Sequence, residues 1–260
     1  MSAETEPEWI PVRSREPISV CMATYNGAKY IIPQVESILS QLRVDDEIVV
    51  VDDESSDDTY ELLSALADPR IHIHRNETNL GYVRTFERAI RLAARDVIML
   101  SDQDDIWAYG RVDAMVSALR RSSIVASNLL LLDSGKPLRS PITGRPWRLS
   151  TEDDGRKWRN ELRILAGDAP YFGCAMALRR DALELVLPFP PYLDESHDLW
   201  IATVGNAAGQ LAHLDRATVM RRVHDDNASS ARPRGLMAAL RSRFLLVRLL
   251  GEARRRIASH

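Results

Sequence analysis

The chain has 260 residues, 45% hydrophobic and 27% charged, the ordinary balance of a globular protein long enough to bury a full core. A formal net charge of −3 argues against a general nucleic-acid binder, and no apolar stretch is long enough to span a bilayer. Cys21 and Cys174 lie far apart, each in an apolar run, and the acidic start MSAETEPEWIPVRSREP lacks the basic region and apolar run of a secretory signal, so buried thiols and a cytoplasmic protein are expected.

Residues 1–16 read as a loose lead-in. ISVCMA (18–23) is a first buried strand, followed by a helix over GAKYIIPQVESILSQL that tolerates Pro33 only near its first turns. EIVVVD (47–52) is a second strand, and SSDDTYELLSALA carries a cap and then a helical pattern. IHIHR (71–75) alternates as a third strand, NLGYVRTFERAIRLAAR is helical, and VIMLS (97–101) is a fourth strand. RVDAMVSALRR and SIVASNLLL continue as helix and strand. From 133 to 160 the pattern lapses into a segment rich in Pro, Gly, Ser and charge, read as a long mobile loop or a lid-like insertion. A strand and helix follow in YFGCAMALRRDALELV, a helix in DESHDLWIATVGNAAG, and two short strands in LAHLD and ATVMRRVH.

Strands and helices alternating at short spacing predict an α/β fold, an open and mostly parallel sheet with helices on both faces. Ligands of such sheets bind beyond the carboxyl ends of the strands. Four polar clusters fall there: TYN (24–26), DDESSD (52–57), RNETNLG (75–81) and SDQDD (101–105).

SDQDD places three carboxylates within four positions at the end of a buried strand, where they repel one another. Alternate residues of an extended segment share a side, so Asp102 and Asp104 face one ligand while Asp105 turns elsewhere. A hard divalent cation, Mg²⁺ or Mn²⁺, compensates such a cluster and completes its shell with phosphate oxygens and water. Asp52 or Asp53 could accept hydrogen bonds from a nucleobase or ribose, with Ser55 to Asp57 capping the next helix. Neither a glycine-rich dinucleotide fingerprint nor a Gly-Lys-Ser/Thr phosphate loop is present, so a bound diphosphate would need the metal at Asp104. Asp198 sits where a helix begins, a place for a proton acceptor or simply for an acid complementing the helix dipole.

ISVCMATYNGAKYI, EIVVVDDESSDDT, NLGYVRTFERAI and VIMLSDQDDIWAYGRV together resemble the nucleotide-binding half of family 2 glycosyltransferases of the GT-A fold, in particular the bacterial rhamnosyltransferase-like branch. GCAMALRRD, HDLWIA and RRVHDDNAS resemble that family's acceptor half. The resemblance implies a GT-A domain over 17–230, with a Rossmann-like nucleotide-sugar-binding half at 17–130 and an acceptor half at 161–230. It implies that Thr24 and Tyr25, with Asn26 beside them, border the base and that Asp52 or Asp53 contacts base or ribose. Arg84 would approach the nucleotide, Asp102 the ribose, and Asp104 would hold Mg²⁺ or Mn²⁺. Asp198 would be the general base, and His224, with nearby Arg222, would reach the diphosphate and metal.

The expected activity is inverting transfer of a sugar from a nucleoside diphosphate donor, dTDP-rhamnose or a UDP-sugar, to a hydroxyl of a cell-surface glycan or lipid-linked acceptor. Two alternatives stand beside it. A sugar-phosphate nucleotidyltransferase usually carries a glycine-rich loop with basic residues after its first strand, and MATYNGAKY lacks one. A catalytically inactive nucleotide-sugar-binding relative is expected to lack Asp104 or Asp198, and both are present. Residues 231–260 hold eight Arg and one Glu, a basic tail with Leu236, Leu240, Phe244, Val247 and Leu250 at helical spacing. Such a helix either lies on the inner face of an anionic membrane or packs on protein.

Overall fold

The computed structural model describes residues 15–224 and 236–260, and for 236–239 the backbone alone. The four predicted strands form as β1 (Ile18–Thr24), β2 (Glu47–Asp52), β3 (Ile71–Arg75) and β4 (Val97–Ser101). They are parallel, and β1 pairs with β2 on one side and β4 on the other. The sheet continues through β5 (Ile106–Trp107), β6 (Ile124–Leu131), β7 (Met176–Arg179) and β8 (Leu211–Arg221), in the spatial order β3-β2-β1-β4-β7-β6-β8-β5. β7 runs antiparallel between β4 and β6, β8 runs parallel to β6, and β5 is an antiparallel edge strand. The sheet is therefore mixed and mostly parallel.

Both faces are covered, which is why β1, β2 and β4 read as continuous apolar runs. Ile18, Val20 and Met22 of β1 point to a core with α1 (Ile31–Leu39), α2 (Thr59–Ala65) and α4 (Arg111–Ala118). Cys21, Val49, Val51, Ile98 and Leu100 point to the opposite core. There α3 (Tyr82–Leu92) presents Val83, Phe86, Ala89 and Ile90 at helical spacing, beside residues of α5 (Lys157–Ala166), α6 (Leu183–Val186), α7 (His197–Ala208) and α8 (Leu236–Ser259). Pro33 sits in the first turn of α1, where its missing N–H costs nothing. Cys21 and Cys174 are buried free thiols, as expected.

Two expectations are corrected. LAHLD and ATVMRRVH are one continuous strand, β8, whose register against β6 shifts near Asn128. The segment 133–160 is anchored rather than open: Leu149 is buried, and Asn128 exchanges hydrogen bonds with its backbone at 2.8 and 3.0 Å. The segment also runs into α5, which the charged sequence disguised. The tail is a helix, as expected; it packs through Leu246, Leu249 and Ala253, whereas Leu240, Phe244 and Val247 of the apolar stripe face outward. The tail has apolar residues on two faces, and spacing alone does not choose between them.

Candidate active site

The carboxyl ends of β1, β2 and β4 lie at one edge, because Thr24 pairs with Asp52 and Met22 with Ser101. After β1 the chain moves to β2 on one side and later to β4 on the other, a switch point of the kind that opens a crevice. A cavity of about 410 Å³ opens there, lined by Thr24, Tyr25 and Asp53 and by Asp102, Gln103 and Asp104. Phe172, Gly173, His197, Asp198 and Arg221 also line it.

Asp102 and Asp104 share the cavity wall, whereas Asp105 turns away into the core. Asp105 Oδ1 accepts the Arg222 N–H at 3.0 Å, fixing the loop to the end of β8. Among the described residues nothing donates a hydrogen bond to the Asp102 carboxylate, which faces the cavity. Burial, then the charges of Asp105 and Asp104, push its carboxyl well above the ordinary range. Asp104 Oδ2 lies 2.8 Å from His224 Nε2, so the structure brings those two residues together.

Carboxylates crowded in this way would be relieved by a cation. Asp102, Asp105 and Cys174 offer ligand atoms within 4.8 Å of one another and could coordinate a divalent ion. The Cys174 thiol is a poor member of that set, because burial and the two carboxylates hold it protonated. A hard ion would favour the oxygens.

Asp198 lies in the first turn of α7, with Oδ1 accepting the Leu199 N–H at 2.8 Å. Burial raises its pKa to about 6, against the pull of the Leu199 and Gly173 amides and of Arg221. Neighbouring His197 is buried and stacks on Phe86 at 4.5 Å. Burial lowers its pKa to about 4, so it is a neutral wall residue beside the acid.

Several predicted residues stand behind the wall. Asp52 is fully buried, accepts from Thr24 Oγ1 at 3.1 Å and from Ser55 N and Oγ at 3.0 and 2.5 Å, and pairs with Arg75. Of the two acids at the end of β2, Asp53 is the one that lines the cavity, while accepting from the amides of Leu80 and Gly81 at 2.9 and 2.8 Å. Asn26 Oδ1 accepts from Ser56 N at 2.8 Å, and Asp57 takes both Thr59 N–H and Oγ–H, so this segment ties two loops together. The cap position of α2 is Asp58 rather than Ser55 to Asp57, and its side chain makes no cap hydrogen bond. Arg84 does not line the cavity. Its guanidinium donates to the carbonyls of Phe189, Pro190, Pro191 and Leu193, holding the chain that leads to α7. Arg222 donates from Nε to the Asp104 carbonyl and lies over the Tyr30 ring, while its neighbour Arg221 reaches the cavity. Asn227 of the RRVHDDNAS motif lies outside the described residues.

Sequence reasoning missed two supports. The Gln103 amide pairs with the Tyr25 backbone, N–H at 2.9 Å and C=O at 3.0 Å, and lies over Gly27, where any Cβ would overlap it. The only hint was the Gly in TYNG. Arg111, fully buried beneath the acids, donates to Thr218 Oγ1 and to the carbonyls of Leu100 and Cys174. In the sequence it reads as a helix-start charge.

The model of glycosyl transferase family 2 matches residues 19–186. The chain belongs to that family. An uncharacterized glycosyltransferase of Nostoc sp. is 26% identical to it over 180 residues, 67% of this chain and 54% of the relative. A UDP-Glc:alpha-D-GlcNAc-diphosphoundecaprenol beta-1,3-glucosyltransferase of Escherichia coli is 30% identical over 107 residues, 41% of this chain and 42% of the relative. The matched part thus spans about half the length of these curated relatives. Among solved structures, S. aureus TarS 1-349 in complex with UDP-GlcNAc superposes with a TM-score of 0.66 at 18% identity, covering 94% of this chain and 73% of that chain. That likeness shows the fold, a GT-A-like sheet flanked by helices. The comparisons reach family 2 and not its rhamnosyltransferase-like branch.

Proposed function

We propose that this family 2 chain is an inverting glycosyltransferase, with the nucleotide-sugar donor held by 17–130 and the acceptor by 161–230. One observation carries the reading: Asp102, Asp104 and Asp198, the last a carboxyl shifted toward neutrality, line a single cavity. The acceptor hydroxyl gives its proton to Asp198 as its oxygen bonds to the anomeric carbon. The bond from that carbon to the diphosphate oxygen breaks, and the electron pair leaves with the diphosphate. Attack from the face opposite the leaving group inverts the centre.

Mn²⁺ or Mg²⁺ on Asp104, with His224 and Asp102 at hand, would offset charge on the leaving diphosphate. Tyr25 and Thr24 border the base, and Asp53 or Asp102 accepts from the ribose. UDP is the first donor to test, because the E. coli relative is named for UDP-Glc. dTDP-rhamnose, from the branch resemblance, is the second. The diphosphoundecaprenol in that name supports a lipid-linked acceptor, met at the inner face of the cell membrane.

The test is product release. With a UDP-sugar, Mn²⁺ and a hydroxyl acceptor, UDP should appear, whereas pyrophosphate released from UTP and a sugar phosphate would assign a nucleotidyltransferase instead. The pH profile adds a second prediction. Asp198 accepts a proton only when ionised, and its pKa is about 6, so kcat/KM should be level above that pH. Below it, kcat/KM should fall by about tenfold per unit as the acid becomes protonated. A limb near the usual carboxylate value would show that the rate depends on another group.

A further inference from the structure

Helix α8 carries a second apolar face that the described residues leave exposed. Leu246, Leu249 and Ala253 are buried, while Leu240, Phe244 and Val247 are 56%, 66% and 56% exposed. The 100° step per residue places the second group on the opposite side of the helix. Helix α5 lies alongside and antiparallel: Arg243 donates to the Ala166 carbonyl at 2.8 Å, while Arg254 bonds Glu161 at 2.8 Å and lies over the Trp158 ring. This brings Trp158 and Leu162, 73% and 65% exposed, to the same surface. Large exposed apolar residues grouped in this way mark an interaction site.

The rim identifies the partner. Arg241, Arg248 and Arg255 fall on one flank of the exposed stripe and Arg254 on the other. The acidic partners lie deeper: Glu161 and Glu252 side chains are 12% and 19% exposed, against 53% and 69% for Arg254 and Arg255. The outer layer is therefore positive around an apolar centre. A second copy docked face to face would set arginine rims against each other. Lipid phosphates suit the arginines, the acyl boundary suits Phe244 and Val247, and an indole sits well at the level between them.

We infer that the α5–α8 face seats the protein on an anionic lipid leaflet. The inference stands apart from the transfer chemistry, because binding is read without donor or acceptor. The full chain is sedimented with vesicles of phosphatidylglycerol and phosphatidylcholine, and with phosphatidylcholine alone. Binding is expected to the anionic vesicles only, and to weaken as salt screens the arginines. The double variant Phe244→Ser/Val247→Ser, at exposed positions that leave the core intact, should lower the binding constant by about tenfold or more. Its melting curve checks the fold. Absence of sedimentation with phosphatidylglycerol vesicles overturns the inference, as does equal binding by the folded double variant. A concentration-dependent dimer lost in that variant, without vesicle binding, would assign the face to a second copy.

Discussion

Replacing Asp198 with asparagine is expected to lower the rate of transfer by about 10³-fold, within the range that a positioned general base supplies. Asparagine keeps the size and an oxygen for the Leu199 amide, so the first turn of α7 should stay in place. What is lost is the proton acceptor. The residues proposed to hold the donor are other members of the lining, so nucleotide affinity should change by no more than about twofold. The residual rate should also lose the acidic limb near pH 6, because the group responsible is gone. Single-turnover transfer alongside nucleotide titration separates the two effects. Near-normal turnover would remove Asp198 from the reaction. A parallel loss of nucleotide binding would make it a structural acid.

Arg111→Ala should have the largest effect on stability. Arg111 is fully buried and forks between Thr218 Oγ1 at 2.8 Å, the Leu100 carbonyl at 3.2 Å and the Cys174 carbonyl at 2.7 Å. Its guanidinium also lies over the Trp107 ring at 4.5 Å. Truncation strands these acceptors and removes the positive charge near Asp102 and Asp105. A loss of about 3–5 kcal/mol is expected, as for other broken buried charge networks. In a chain of this length that lowers Tm by roughly 10 °C. Arg111→Lys should recover only part of it, because one ammonium cannot reproduce the planar fork. Urea unfolding of the three proteins measures the series. A loss below about 1 kcal/mol for the alanine variant would mean that water replaces the fork at little cost.

The elements most legible in the sequence were those with local causes. Parallel strands buried on both faces give unbroken apolar runs, so β1, β2 and β4 were visible, and the acids that follow them marked the edge where the cavity opens. Pairings between distant segments were not. Nothing in MALR says that β7 runs antiparallel between β4 and β6, and two short apolar runs split by polar residues concealed the continuity of β8. The same limit applied to the site. That Asp102 and Asp104 share one cavity was legible because their spacing is local, whereas the approach of Cys174 to Asp105 and the clamp of Gln103 on Tyr25 arise from folding across many residues. Arg84 looked like a nucleotide contact from its place on α3, but the carbonyls that hold it lie a hundred residues away. The tail showed a basic helix with an apolar stripe, but not that Leu246, Leu249 and Ala253, off that stripe, are the residues that pack on the domain.

The decisive measurement is calorimetric titration of the protein with UDP and with dTDP, each in Mn²⁺ and in EDTA, repeated on Asp104→Asn. Metal-dependent binding of one nucleotide, weakened by about tenfold or more in the variant, is the expected result for a diphosphate held through an ion on Asp104. Binding that survives EDTA and the substitution would contradict a metal-held diphosphate. Absence of binding by either nucleotide to the folded wild-type protein would contradict a uridine or thymidine donor site in this cavity.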